Sequence, residues 1–138
     1  MQELIDKVIK EIYVNETGLI FITDSDERLY YQVDGGCCSS SYFSEIMHPE
    51  SILGHRIVKV DALEQESGEP TIQEEDIIYA YRITSDRELG LSNCIVTFRN
   101  SSNGYYGGSC GFGGSAPSLD VSKMTKVKSN YVADWRAF

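Results

Sequence analysis

The chain has 138 residues, of which 41% are hydrophobic, and its formal net charge is −9. This length predicts one domain over 1–138 with a core that buries about two thirds of the surface of the unfolded chain. No stretch approaches the roughly 20 apolar residues of a membrane-spanning helix, and the start lacks the basic and apolar regions of a secretion signal. We therefore expect a cytoplasmic protein without a membrane partner. The acidic charge disfavours direct nucleic-acid binding, which depends on Lys and Arg contacts with phosphate.

The first half of the chain predicts a meander of three strands, at 8–15, 19–23 and 28–33. Each run is rich in β-branched and aromatic residues and is separated from the next by turn residues. A short helix is expected at 39–47, where a serine can cap the start and the apolar residues Tyr42, Phe43 and Ile46 give a partial stripe. A further strand is expected at 57–63.

The second half begins with an acidic segment, 64–75, which contains five glutamates and is expected to be a mobile loop. Strands are predicted at 77–84 and 91–100. Asn103-Gly104 favours a type I′ hairpin turn, in which both central residues need positive φ, so 91–100 is expected to pair with 105–112. Residues 111–138 are interpreted as a Gly/Ser-rich segment and a tail that docks on a neighbouring element.

These elements predict an α+β fold that is rich in β structure. We expect a twisted antiparallel sheet of about six to eight strands with one short helix. A flat strand edge bearing tyrosines would favour self-association, so a homo-oligomer is left open.

The first candidate site is the turn before the expected helix. Glycines there let the backbone approach a ligand closely, the helix start would offer N–H groups to an anion, and a cysteine at that position can have a lowered pKa. The alternative is a tight turn in which the thiols pack as small apolar groups. The candidate ligand-binding residues are Asp34, Cys37, Cys38, Ser39 and Tyr42.

The second candidate site is the expected hairpin. Arginine can hold a carboxylate or phosphate through two hydrogen bonds, asparagine can recognise an amide, a base edge or a sugar hydroxyl, and tyrosine can stack on a planar group. The alternative is that these are ordinary turn-forming residues. The candidate residues are Arg99, Asn100, Asn103, Tyr105 and Tyr106.

Catalytic and metal-binding motifs are weak in this chain. None of the four cysteines forms a Cys-x-x-Cys pair, and the two histidines lack a partner at zinc-finger spacing, so neither a metal nor another cofactor is expected. Ser109 stands in a Gly-x-Ser-x-Gly pattern, but no histidine follows it. These features favour a protein that is not an enzyme, with cysteine-based catalysis left open.

Segments 34–43 and 99–108 resemble motifs of a family of small proteins that is frequent in tailed phages and prophages and carries a domain of unknown function. The family pattern has an acidic residue directly before the paired cysteines, whereas here Asp34 lies two places earlier. The resemblance implies a non-enzymatic binding protein that inhibits host antiviral defence. It would sequester a small nucleotide-like ligand or block a host defence protein. An acidic protein–protein inhibitor, a nucleic-acid mimic and a minor virion structural protein are the alternatives.

Overall fold

The computed structural model describes residues 1–36, 38–87, 93–104, 107–115 and 119–138. These residues form eleven strands and three 3₁₀ helices. The strands are β1 (Ile9–Val14), β2 (Gly18–Thr23), β3 (Arg28–Gly35), β4 (Ser40–Met47), β5 (Ile57–Ala62), β6 (Glu66–Gly68), β7 (Glu75–Ser85), β8 (Cys94–Ser102), β9 (Gly108–Ser115), β10 (Thr125–Lys126) and β11 (Tyr131–Val132). The 3₁₀ helices are Gln2–Leu4, Pro49–Ser51 and Trp135–Ala137.

The strands form two antiparallel sheets that share one core. The five-stranded sheet has the order β10-β1-β2-β3-β9, and the six-stranded sheet has the order β11-β4-β8-β7-β5, with β6 also paired to β7. Phe21 and Tyr31 from the first sheet and Phe43 and Phe98 from the second belong to the same buried cluster. Burial of apolar side chains from both sheets therefore holds the two layers together.

Aromatic stacking orders the core on the side of the six-stranded sheet. The Tyr79 ring lies parallel to the Phe98 ring, with centroids 4.7 Å apart. Both residues come from neighbouring strands, and Tyr79 is directly opposite Phe98 in the register of β7 and β8. Such cross-strand aromatic pairs stabilise a sheet beyond the area they bury.

The β-rich antiparallel architecture is confirmed, but the expected single sheet of six to eight strands is wrong. The expected helix at 39–47 is also wrong, and no described residue is in an α-helix. Those residues form β4, in which Phe43 and Ile46 face the core and Tyr42 faces the other side. The register with β8 shifts between Phe43 and Glu45, and this bulge lets Phe43 and Ile46, three positions apart, face the core together at a spacing that also fits a helical stripe.

The expected hairpin through Asn103-Gly104 is wrong as well. Strand β8 lies between β4 and β7, so both of its edges are already paired, and β9 pairs with β3 of the other sheet. Gly104 has a φ of 102°, but Asn103 does not have a positive φ, so the two residues do not meet the requirement of a type I′ turn. The two successive strands β8 and β9 therefore belong to different sheets.

The acidic segment and the tail both contribute short strands. Within 64–75, β6 pairs with β7. In the tail, β10 pairs with β1 and β11 pairs with β4, and the Phe138 ring centroid lies 5.4 Å from that of Tyr42. The tail therefore contacts both sheets.

Candidate functional site

The structure places the two sequence motifs side by side, because β4 and β8 are neighbours. Ser41 is opposite Asn100, and Tyr42 is opposite Arg99. Successive residues of a strand point to opposite faces of the sheet. Ser41 and Asn100 therefore face the five-stranded sheet, whereas Tyr42 and Arg99 lie on the outer face of the six-stranded sheet.

The inward-facing pair contributes to an inter-sheet junction made of Gly35, Ser41, Asn100 and Gly108. The Ser41 hydroxyl has two acceptors within reach of its one hydrogen, Oδ1 of Asn100 at 2.9 Å and the carbonyl oxygen of Asp34 at 3.0 Å. Asn100 is completely buried and Ser41 is nearly so. Their polar atoms link β4 and β8 to β3 in the interior and are not presented to solvent.

Two glycines let the sheets approach each other at this junction. Gly35 of β3 pairs with Gly108 of β9. A Cβ at Gly35 would lie 2.8 Å from Oδ1 of Asn100, and a Cβ at Gly108 would lie 2.9 Å from Cβ of Asn100. Both distances are too short for a carbon atom, so close packing explains why glycine occupies these positions.

The other described candidate residues of the first motif do not form a ligand site at this junction. Cys37 lies outside the described residues. The side chains of Asp34 and Cys38 are exposed, and Cys38 has a φ of 66°. The Ser39 hydroxyl donates to the carbonyl oxygen of Gly36 at 3.0 Å. Because β4 replaces the expected helix, the helix N-terminus that would have attracted an anion is not formed here.

The described residues of the second motif also lie in different environments. Tyr105 and Tyr106 lie outside the described residues, and Asn103 is exposed at the end of β8. Asn100 is in the junction and Arg99 is on the outer face. Of the described candidate residues, the structure therefore brings only Tyr42 and Arg99 to one cavity.

Burial makes the interior thiols poor nucleophiles. It raises the pKa of Cys94 to about 12 and that of Cys110 to about 11. The reactive form of cysteine is the thiolate, so both thiols are largely unreactive near neutral pH. Within the described part of the chain, no cluster of three or more His, Cys, Asp or Glu side chains is arranged to hold a metal ion.

The outer face of the six-stranded sheet carries two adjacent cavities, of about 330 Å³ and about 250 Å³, which share Glu45 and Arg99. We call them together the acidic groove. The first cavity is lined by Tyr42, Ser44, Glu45, Glu69, Pro70, Thr71, Arg99, Val132, Ala133 and Trp135. The second is lined by Glu45, Leu63, Glu64, Glu66, Ile78, Ala80, Thr97 and Arg99.

Arg99 is the one basic residue among the described residues that line the groove, and it is held by the protein itself. Its Nη1 lies 3.4 Å from Oδ2 of Asp76 and donates to the carbonyl oxygen of Glu69 at 3.2 Å. The Asp76 side chain is fully buried. The two charges offset each other, and the glutamates therefore determine the charge of the groove.

A chain of hydrogen bonds fixes the floor of the groove. The Tyr42 hydroxyl donates to Oγ1 of Thr71 at 3.0 Å, and the Thr71 hydroxyl donates to Oδ2 of Asp76 at 2.6 Å. The backbone N–H of Thr71 donates to Oδ1 of Asp76 at 3.2 Å. Burial raises the pKa of Tyr42, so its hydroxyl stays protonated and remains a donor.

Sequence reasoning did not identify most of the groove. Glu64, Glu66 and Glu69 come from the segment expected to be a loop, and Trp135 comes from the tail. The run of glutamates in 64–75 was the one available signal, because a high local charge marks a solvated surface.

A family model described as a domain of unknown function, DUF7448, matches residues 2–112. The chain belongs to the DUF7448 family. No curated protein and no solved structure matches it. The comparisons therefore give no activity and no ligand. No described helix is long and apolar enough to cross a membrane.

The DUF7448 match separates the groove into two parts. The residues from β4, β7, β8 and the acidic segment lie within it, together with both halves of the inter-sheet junction. Val132, Ala133 and Trp135 lie beyond residue 112. The tail therefore adds one wall to a groove whose floor belongs to the DUF7448 region.

Proposed function

We propose that this chain is a non-enzymatic binding protein whose acidic groove holds a basic segment of a partner protein. The observation that carries the proposal is the charge of the groove. Four glutamates, Glu45, Glu64, Glu66 and Glu69, line it, whereas Arg99 is paired with buried Asp76. Such a surface attracts cations and repels anions.

The shape of the groove fits long basic side chains. Lysine and arginine bury an apolar stem while the charged end reaches polar groups. Tyr42, Pro70 and Trp135 provide apolar surface in the larger cavity, and the glutamates lie around it. Apolar stems and charged ends would both find complementary surface here.

Of the two modes of binding expected from the sequence, this charge favours blocking a protein. A nucleotide-like ligand carries phosphates, which the glutamates would repel. The side chain of Asn100, expected to hold such a ligand, is buried and bonded to Ser41 in the inter-sheet junction. In the phage setting that the sequence resemblance implies, the partner would be a host defence protein with a basic surface.

The experiment uses Trp135, the one tryptophan of the chain, as a fluorescence probe inside the groove. The full-length protein is titrated with a short synthetic peptide of alternating arginine and serine, and separately with its glutamate counterpart and with a cyclic dinucleotide. We expect a saturable change with the basic peptide alone, and we expect its affinity to fall as salt is added. Saturable binding of the dinucleotide or the acidic peptide would overturn the proposal, as would no response to the basic peptide.

A pair of matched variants locates the site. Glu64→Gln combined with Glu66→Gln removes two charges from the groove. Asp24→Asn combined with Glu16→Gln removes two charges from exposed positions near the ends of β2. The groove variant should lose most of its affinity for the basic peptide, and the control should keep nearly all of it. Equal losses in the two variants would mean that net charge, and not the groove, attracts the peptide.

A further inference from the structure

Strand β9 is an edge strand of the five-stranded sheet. It pairs with β3 along Gly108–Ser115, and no other described strand pairs with its second edge. None of its eight residues is charged and none is proline. Its outer edge therefore offers backbone N–H and C=O groups without the side chains that normally prevent another strand from pairing.

The other sheet edges differ from β9. Strands β6, β10 and β11 have three, two and two residues, which is too short to template another strand. Strand β5 carries Lys59 and Asp61, whose charged groups lie 3.6 Å apart. Short length and charge are both known to protect an edge, so β9 is the least protected of the described edges.

A β-bulge limits the regular part of β9. The register with β3 shifts between Tyr30 and Tyr31, so that Gly113 has no partner. The regular run is Gly108–Phe112, and because the backbone N–H of Gly108 already donates to the Tyr79 hydroxyl at 3.2 Å, the part open to a further strand is Ser109–Phe112, which is within the usual range of strand lengths. This run is long enough to pair with one further strand.

Phe112 gives this edge an apolar side chain at the border of the core. It is 43% exposed, although its ring centroid lies 5.4 Å from that of buried Tyr31. A strand added beside β9 would cover the exposed part of the Phe112 ring. One added strand would thus form hydrogen bonds with the backbone edge and also bury the apolar side chain.

We propose that this neighbour is β9 of a second copy, paired antiparallel about a twofold axis. Two copies with a net charge of −9 repel each other over most of their surface, but the uncharged β9 lets them meet without bringing like charges together. Each copy pairs with the backbone edge of the other and covers the exposed part of its Phe112 ring. A twofold contact of this kind closes at two copies. A basic partner would be drawn to the acidic groove, to which β9 contributes no residue.

Sedimentation velocity of the full-length protein across a concentration series, in reducing buffer, tests this interface. We expect a reversible monomer–dimer equilibrium. Gly111→Lys places a charge in the middle of β9 at a position where a Cβ meets no atom within 4 Å, so the variant should fold normally. Its dimer should be weaker by about tenfold, since two lysines would come together across the new strand pair.

Two further variants make the result decisive. Ser109→Lys, at another exposed position of β9, should weaken the dimer in the same direction. Val58→Lys places the same charge on exposed β5 and should leave the dimer unchanged. A protein that stays monomeric at every concentration would overturn the proposal. So would a dimer that both β9 variants leave intact or that Val58→Lys disrupts equally.

Discussion

The inter-sheet junction and the acidic groove lie on opposite faces of the same two strands. Ser41 and Asn100 are buried in the junction, whereas their immediate neighbours Tyr42 and Arg99 line the groove. The period of two in a strand sends adjacent polar residues to different environments. Each of the two motifs therefore contributes one residue to the scaffold and its neighbour to a surface.

The comparison shows that a polar, glycine-rich motif is not by itself a binding site. Buried polar groups are normally hydrogen-bonded, and Asn100 follows this rule through Ser41. The groove obtains its charge instead from glutamates outside both motifs. If this division is correct, changes in the junction should affect stability, and changes in the groove should affect binding.

The largest effect is expected from Asn100→Ala. The substitution removes a fully buried side chain and leaves the Ser41 hydroxyl without one of its acceptors. We expect the free energy of unfolding to fall by about 2–3 kcal/mol, measured by urea denaturation. Affinity for the basic peptide should stay unchanged in the folded fraction. A fall of less than about 0.5 kcal/mol would contradict a structural role for the junction.

The glycines of β9 provide a matched pair of variants. Gly108→Ala places a Cβ 2.7 Å from the Ser41 hydroxyl oxygen and should cost about 1–3 kcal/mol through overpacking. Gly111→Ala meets no atom within 4 Å and should change stability by less than about 0.5 kcal/mol. Thermal or urea unfolding of the two variants side by side is the measurement. Equal effects would show that the sheets do not approach closely at Gly108.

Much of the sheet structure could be predicted from the sequence, because its signals are local. The alternation in 77–84 and the turn residues around 19–23 and 28–33 gave strands close to β7, β2 and β3. The helix at 39–47 was mispredicted because a β-bulge puts Phe43 and Ile46 on one face of β4 at the three-residue spacing of a helical stripe. The hairpin was mispredicted because Asn103-Gly104 carries no information about which strand edges are already paired.

The groove could not be predicted for the same reason. Glu66 reaches it because β6 pairs with β7, and Trp135 reaches it because β11 pairs with β4. Both are long-range pairings that no local pattern in these short strands reveals. The motifs, by contrast, were visible in the sequence, but the face on which each residue lies depends on whether the segment is a strand or a helix.

A smaller effect is expected on the groove side of β4 from Tyr42→Phe. The variant loses the hydrogen bond to Thr71, while Thr71 keeps its hydrogen bonds to Asp76. We expect a loss of about 1 kcal/mol in urea unfolding. Tyr13→Phe, which removes a tyrosine hydroxyl from a partly exposed bond to Glu11, is the control and should cost less. A larger loss for the control would mean that the floor of the groove is not held by this bond.

The smallest effect is expected when the native protein is alkylated, because its buried thiol should scarcely be modified. Burial raises the pKa of Cys94 to about 12, so its thiolate is scarce at pH 8 and the side chain is inaccessible. Mass spectrometry after iodoacetamide treatment should find Cys94 unmodified unless denaturant is added. Cys110, with a pKa of about 11, should react slowly, and faster as the pH is raised. Exposed Cys38 should be modified before either. Rapid modification of Cys94 at neutral pH would contradict this expectation and would support cysteine-based catalysis.

The most direct test of the division between junction and groove is an NMR titration of the labelled protein with the basic peptide. We expect the largest amide shift changes at 64–71, 97–99 and 132–135, which surround the acidic groove. The amides at 34–36 and at Asn100, in the inter-sheet junction, should change little. Shift changes concentrated at the junction, with the groove unaffected, would contradict the account.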